Sequence, residues 1–290
     1  MVVAVAANQM DKLADPVMLR GAALPTSLVI EQSQFLAQIA QQALTCGTGL
    51  TTNQITFERI SRDIIPQLKS TLDTVLAAVK PSIALEQMQN FGIFREFGEL
   101  DNLAKIPQDP IWHPEGTAWV HTMMVVDYAA MLSRSLPIKL SPDERQGIMW
   151  GALLHDIGKS LTTQTRNSDG RIISPKHEEA GVEPARAILE LLEIAPEVAR
   201  VACAIVREHM APPALFRELC RGQLNPESYA RAVSRLAKRI EPVRLEPLLI
   251  AAMADRLGRS TPESPHSKIA FSRPMAEILE VSITEFNNHN

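Results

Sequence analysis

Apolar residues return every three or four positions along most of this chain, the signature of amphipathic helices. From Ser27 the stripe runs through Val29, Ile30, Phe35, Leu36, Ile39, Ala43 and Leu44. The polar, glycine-containing stretch TCGTGLTTN (45–53) interrupts it. A second stripe carries Ile60, Ile64, Leu68, Leu72, Val75 and Val79, with Pro66 inside it, where a proline is expected to kink or split a helix. A third, over 82–96, carries Leu85, Met88 and Phe91. These helices predict an all-α N-terminal unit over 1–98, with a weakly ordered arm at 1–25 and a face that can serve as a homodimer contact.

KIPQDPIWHPEG (105–116) holds three prolines and reads as a loop. Thr117 is placed to cap the helix that follows, to about Ser133. Ser141, with Pro142 behind it, opens the next, which is predicted to run to the His155–Asp156 doublet and stop at Gly158. The segment 162–174 is polar and turn-rich. Ser174 and Pro175 are expected to start a helix carrying His177. Further helices are predicted at about 184–192, 196–209, 227–240 and 244–257, and a tail at 261–290. No strand pattern and no internal repeat is found. The expected fold is all-α: a helical unit at 1–98, then a bundle at 99–260.

Composition agrees: among 290 residues 46% are hydrophobic, only 4% aromatic, and glycine is scarce at 13, which favours helix over sheet. The net charge of −4 is uneven. Residues 200–259 hold 11 Lys/Arg against 6 Asp/Glu, a basic region that suits either a phosphate-bearing partner or a solvated helix face. Cys46, Cys203 and Cys220 are distant from one another and odd in number, which fits a reducing cytoplasm rather than a disulfide framework. The N-terminus lacks a basic segment before its apolar start, and no run is long enough to span a membrane.

Against this background the polar residues on apolar faces stand out. His155 and Asp156 close an apolar run. His121 shares a face with Met124, Val125 and Tyr128, and Asp255 shares one with Leu248, Ala251 and Ala252. Buried ionisable groups are paired or bind metal. A lone inward histidine is more often an ordinary core residue, and a lone aspartate near a helix end more often a cap. Two imidazoles and two carboxylates on three helices nonetheless suit a borderline divalent ion. His177 and His209 fall in the same region, so one or two ions can be held, with Asp156 as a bridge.

The order H…HD…H…H…D resembles that of the HD-domain metal-dependent phosphohydrolases. The segments WHPEGTAWVHTMMVVDYAA, ALLHDIGK and ADRLGRS look like the C-terminal HD domain of bacterial tRNA nucleotidyltransferases, over roughly 99–260. The resemblance implies an HD-type helical bundle and maps the metal ligands onto His121, His155, Asp156 and Asp255. His177 and His209 would hold a second ion or the phosphate. Residues 1–98 contain neither the Gly-Ser or Gly-Gly turn nor the paired-Asp motif of a nucleotidyltransferase head, so the resemblance does not imply CCA addition. It implies hydrolysis of a nucleotide or RNA-end phosphate ester, of 2′,3′-cyclic phosphodiesterase or phosphomonoesterase type, by a water activated on Mn, Ni, Co, Fe or Mg. A di-iron oxygenase and an idle nucleotide-binding module are the alternatives.

Asp156 and Lys159 are the catalytic candidates. Lys159 either reaches a phosphate oxygen or is a solvated lysine at a helix end. Arg256 and Arg259 flank Asp255 and can form a substrate-binding fork for phosphate or a bracing pair. Trp112 and Trp119 can stack on a base, although packing is the commoner role. His113 reads as a loop anchor, and Glu115 as a carboxylate that can hydrogen-bond a ligand histidine. His266 and His289 belong to the tail.

Overall fold

The computed structural model describes residues 26–45 and 62–259. The expected arm, the 46–53 break, Ile60, Cys46, the tail and its two histidines lie outside the described residues. Helices α1 (Thr26–Thr45), α2 (Ile65–Leu76) and α3 (Ser82–Asn90) come first, then the short α4 (Gly98–Asn102). α5 (Ala118–Ser135) and α6 (Pro142–Leu154) lead to α7 (Lys159–Thr162) and a ribbon of β1 (Gln164–Thr165) and β2 (Ile172–Ile173). α8 (His177–Ala180), α9 (Val182–Leu191), α10 (Pro196–Glu208), α11 (Ala211–Cys220), α12 (Pro226–Ile240) and α13 (Leu245–Gly258) complete the described chain. The fold is all-α, with that ribbon its minor exception.

Four helices, α5, α6, α10 and α13, pack together as the centre of the molecule. The sequence explains why α6 sits innermost: Gly147 to Leu154 are buried without a break, so the helix is apolar on every side at that end. Gly147 and Gly151, one turn apart, let α10 approach its backbone. A Cβ at Gly147 would lie 2.5 Å from Val201 Cβ, and one at Gly151 2.7 Å from Ile205 Cδ1. The polar start of α6 is fixed by a capping box, in which Glu144 N–H donates to Ser141 Oγ and Ser141 N–H to Glu144 Oε2. Thr117 caps α5 by accepting from Val120 N–H. Both caps and Pro142 fall where the sequence places them.

The N-terminal helices pack into the same core. Phe35, Leu36 and Ile39 of α1 and Leu68 and Leu72 of α2 are buried in one cluster with residues of α5 and α6. Polar ties reinforce the contact: Ser82 N–H and Oγ donate to Asp127 of α5 at 3.0 and 2.7 Å. The Arg134 guanidinium takes up the carbonyls of Ala77 and Ala78 just past the end of α2.

Several local expectations change. Pro66 stands at the second position of α2, where it begins the helix rather than kinking it. The third helix ends at Asn90, because Gly92 turns left-handed (φ 78°) and a short 3-10 turn follows. α6 ends at Leu154 with His155 as its cap, short of Gly158. Ser174 and Pro175 do not open a helix; Lys176 is left-handed and α8 starts at His177. α11, which carries Pro212 and Pro213 in its first turn, is not among the helices the sequence predicts. Nor is the ribbon predicted, since its strands, which pair Gln164 with Ile173 and Thr165 with Ile172, are too short to show alternation.

Candidate metal centre

Six ionisable side chains converge where helix ends meet inside the bundle. His121 lies in the first turn of α5 and Asp255 in the last turn of α13. His155 and Asp156 directly follow α6, His177 begins α8, and His209 directly follows α10. All six are buried, with side-chain exposures of 1–8%.

One device orients three of the histidines. His155, His177 and His209 each place Nδ1 2.9–3.0 Å from the carbonyl three residues earlier, those of Ala152, Ser174 and Val206. A carbonyl only accepts, so Nδ1 carries the proton and Nε2 presents a lone pair. His121 obeys the same rule through Glu115 Oε1 at 3.0 Å and the Gly258 carbonyl at 3.2 Å. Four imidazole Nε2 atoms therefore point inward.

The inward atoms fall into two triads. His121, His155 and Asp255 form one, and Asp156, His177 and His209 the other, with the donor atoms of each triad within 4.8 Å of one another. Asp156 faces both. Its Oδ2 lies 3.2 Å from His155 Nε2 and 3.7 Å from His121 Nε2. Its Oδ1 lies 3.2 Å from His177 Nε2 and 3.9 Å from His209 Nε2.

The donor set fits a cation. His177 Nε2 and His209 Nε2 stand only 3.2 Å apart, two lone pairs facing each other. His155 Nε2 and Asp156 Oδ2 are buried with no hydrogen-bond partner, an arrangement that costs free energy unless something positive is shared. Lys159 Nζ lies 2.7 Å from that oxygen but off the angle of a hydrogen bond. Nitrogen and carboxylate donors in this number suit a divalent transition metal, and the cluster is able to hold one.

The electrostatics favour the ligating form of Asp156, Asp255 and His209 and act the other way on His121. Burial opposes ionisation of Asp156, yet His155 and Lys159 outweigh it and hold its carboxyl well below the usual range. Burial likewise opposes ionisation of Asp255, and Arg259 with His121 more than compensates. His209 is pushed down to about 3 by burial and by the neighbouring His155 and His177, so it is neutral at ordinary pH. For His121, burial is overcome by the hydrogen bonds to Asp255 and Glu115, which raise its pKa.

The substrate-binding candidates divide. Lys159 is buried, its Nζ donating to Gln108 Oε1 at 2.6 Å, so it faces the cluster and not solvent. Arg259 grips both oxygens of Asp255, at 2.8 and 3.1 Å. Arg256 does not join it in a fork over that carboxylate. It is half-buried with Nε unpartnered, and burial, Arg259 and Arg217 of α11 together lower its pKa. Helical spacing put the two arginines near Asp255 without fixing which way each turns. Trp119 packs on Phe94 at a centroid distance of 5.5 Å, whereas Trp112 is 53% exposed. Gln108 is a loop glutamine and carries no signal in the sequence.

Residues 119–259 match the HD domain family. This chain carries an HD domain. The family is one of metal-dependent phosphohydrolases, and the matched segment of the HD domain encloses all six clustered side chains together with Lys159, Arg256 and Arg259. The chain is also homologous to proteins named Multifunctional CCA protein. That of Halorhodospira halophila is 36% identical over 186 residues, which is 63% of this chain and 40% of the relative. That of Cupriavidus metallidurans is 31% identical over 194 residues, 63% of this chain and 40% of the relative. That of Xanthomonas campestris pv. campestris is 28% identical over 246 residues, 80% and 53% respectively. The chain thus spans about half or less of the length of these relatives. Among the described residues no helix is long and apolar enough to cross a membrane.

Proposed function

We propose that this HD domain hydrolyses a phosphate ester of a nucleotide or an RNA end, as a 2′,3′-cyclic phosphodiesterase or phosphomonoesterase. The observation that carries the reading is the bridging position of Asp156 between two triads of buried donors. His121, His155 and Asp255 would hold one ion, and Asp156 with His177 and His209 a second. A divalent metal, when bound, lowers the pKa of water and polarises a phosphoryl oxygen; Mn, Ni, Co and Fe suit this donor set, and Mg less well.

The chain's own residues supply the rest. The carbonyl-anchored Nδ1 protons keep the imidazoles oriented, so no rearrangement is needed when charge develops. Lys159 holds an ammonium beside Asp156, where it can neutralise a phosphate oxygen. Arg259 is positioned by Asp255 at the edge of the same site. The relatives are named Multifunctional CCA protein, which favours an RNA end or its nucleotides as substrate class. The N-terminal helices are the face we assign to self-association.

The test is a screen of cyclic 2′,3′-nucleotides, nucleoside monophosphates and p-nitrophenyl phosphate against Mn, Ni, Co and Mg. Metal-dependent turnover of at least one phosphate ester is expected. No turnover with any metal, or oxygen uptake by anaerobically iron-loaded protein, would contradict the proposal.

A further inference from the structure

The loop 106–117 places a carboxylate behind the metal cluster, just outside the matched HD segment. Glu115 Oε1 lies 3.0 Å from His121 Nδ1 and 2.8 Å from His113 Nδ1. The Glu115 side chain is only 1% exposed, and its other oxygen, Oε2, is buried without a partner. A carboxylate is costly to bury with half its hydrogen-bonding capacity unused. Its position is nevertheless held firmly. His113 stacks edge-on against His121, with centroids 4.8 Å apart, and clasps the same Glu115 oxygen. The loop is pinned nearby by the Asp109–Arg171 ion pair at 2.7 Å and by Gln108 on Lys159.

His113, Glu115 and His121 have donor atoms close enough to resemble a third metal triad. The chemistry argues otherwise. His121 Nδ1 faces two acceptors, Glu115 Oε1 and the Gly258 carbonyl, so it carries a proton and has no lone pair to offer. What remains is a carboxylate accepting a proton-bearing nitrogen from the back of an imidazole whose front nitrogen faces the cluster.

We propose that Glu115 is a positioning residue for His121: it fixes the ring and increases the electron density on Nε2, and His113 holds Glu115 in place. The inference rests on the reading of His121 as a metal ligand. It extends the working site beyond the HD segment, to a loop carboxylate that touches neither metal nor substrate. Carboxylate partners behind metal-bound imidazoles are worth about 10- to 100-fold in metal affinity.

The experiment uses the full chain, stripped of metal and titrated with Co²⁺ by calorimetry and by visible absorption. Glu115→Gln should weaken Co²⁺ binding by about 10- to 100-fold and shift the cobalt ligand-field bands. Its metal-free melting curve should change far less than its affinity. The exposed Glu227→Gln control should match wild type throughout. If Glu115→Gln folds and binds Co²⁺ with wild-type affinity and an unshifted spectrum, the assignment is overturned. If that variant folds poorly, Glu115→Asp carries the test, because it keeps the charge but shortens the reach to His121. A several-fold loss of affinity supports the inference, and unchanged affinity overturns it. A wild-type chain that takes up no Co²⁺ would overturn the ligand reading of His121, and the inference with it. That failure shows in the wild type alone, before any variant is read.

Discussion

Replacing Gly158 with alanine is the sharpest packing test of the site. Gly158 follows the doublet, and its backbone angle is ordinary (φ −68°), so an alanine would suffer no conformational strain there. The obstacle is space. A Cβ at this position would lie 2.1 Å from the His177 carbonyl oxygen and 2.6 Å from Gly181 N. Reaching the 3.0 Å floor of real Cβ contacts requires the backbone of α8 to retreat by at least about 0.9 Å. Both colliding atoms are main chain, so no rotamer change relieves the clash. Overpacking of this kind costs about 1–3 kcal/mol, and the absence of a flexible neighbour places it at the upper end. For a domain of this size that corresponds to a melting point lower by about 6–12 °C. The retreat also carries His177 away from Asp156 Oδ1, now 3.2 Å distant. Metal held by Asp156, His177 and His209 should then weaken, while the His121–His155–Asp255 triad, built on α5, α6 and α13, keeps its geometry. Calorimetric melting and metal analysis of the purified variant read both effects. Unchanged melting together with unchanged metal content would refute the reasoning.

Three further outcomes are expected. Metal-free protein should lose stability as pH falls from about 6.5 towards 4, because burial lowers His113 to about 4 and His209 to about 3 while the unfolded chain takes up protons near 6.5. Each contributes up to about 1.4 kcal/mol per pH unit over that window. His121, whose pKa is raised, has its stabilising effect largely in place below about 6.5 and does not offset the loss, so a flat urea-midpoint profile would contradict the assignment. Lys159→Met should retain bound metal yet lose about 10²-fold in kcat/KM, as expected for a group that neutralises charge rather than ligates; loss of metal instead would make Lys159 structural. Trp119→Ala should cost about 3–5 kcal/mol of stability and Trp112→Ala less than about 0.5, measured by denaturant unfolding.

How much was legible in the sequence follows from what each feature depends on. His121 and Asp255 lie on apolar stripes, and helical spacing alone turns them inward, so the triad they make with His155 could be anticipated. The caps at Thr117 and Ser141 are local and equally readable. The carbonyls that orient His155, His177 and His209 are not, because they depend on how each chain segment turns at the end of its helix. Arg256 feels the charge of Arg217 on α11, a helix that opens with two prolines and has no fully buried residue, so its surroundings are not readable from spacing along α13. The close approach of α10 to Gly147 and Gly151, and of α8 to Gly158, is a property of pairs of elements distant in sequence. The partnership of Glu115 with His121 was readable only as an option, since the loop's path decides which histidine the carboxylate meets.

The two-ion reading of the site turns on Asp156 as the bridge between two triads of donors. Asp156→Asn keeps the side chain's shape and removes its charge, so the measurement is metal bound per chain after loading with Mn²⁺ and desalting, taken beside phosphate-ester hydrolysis. Bound metal is expected to fall below half of the wild-type amount, because both triads lose their shared anion, and hydrolysis to fall to background. A folded Asp156→Asn protein with wild-type metal content and wild-type hydrolysis would contradict that reading.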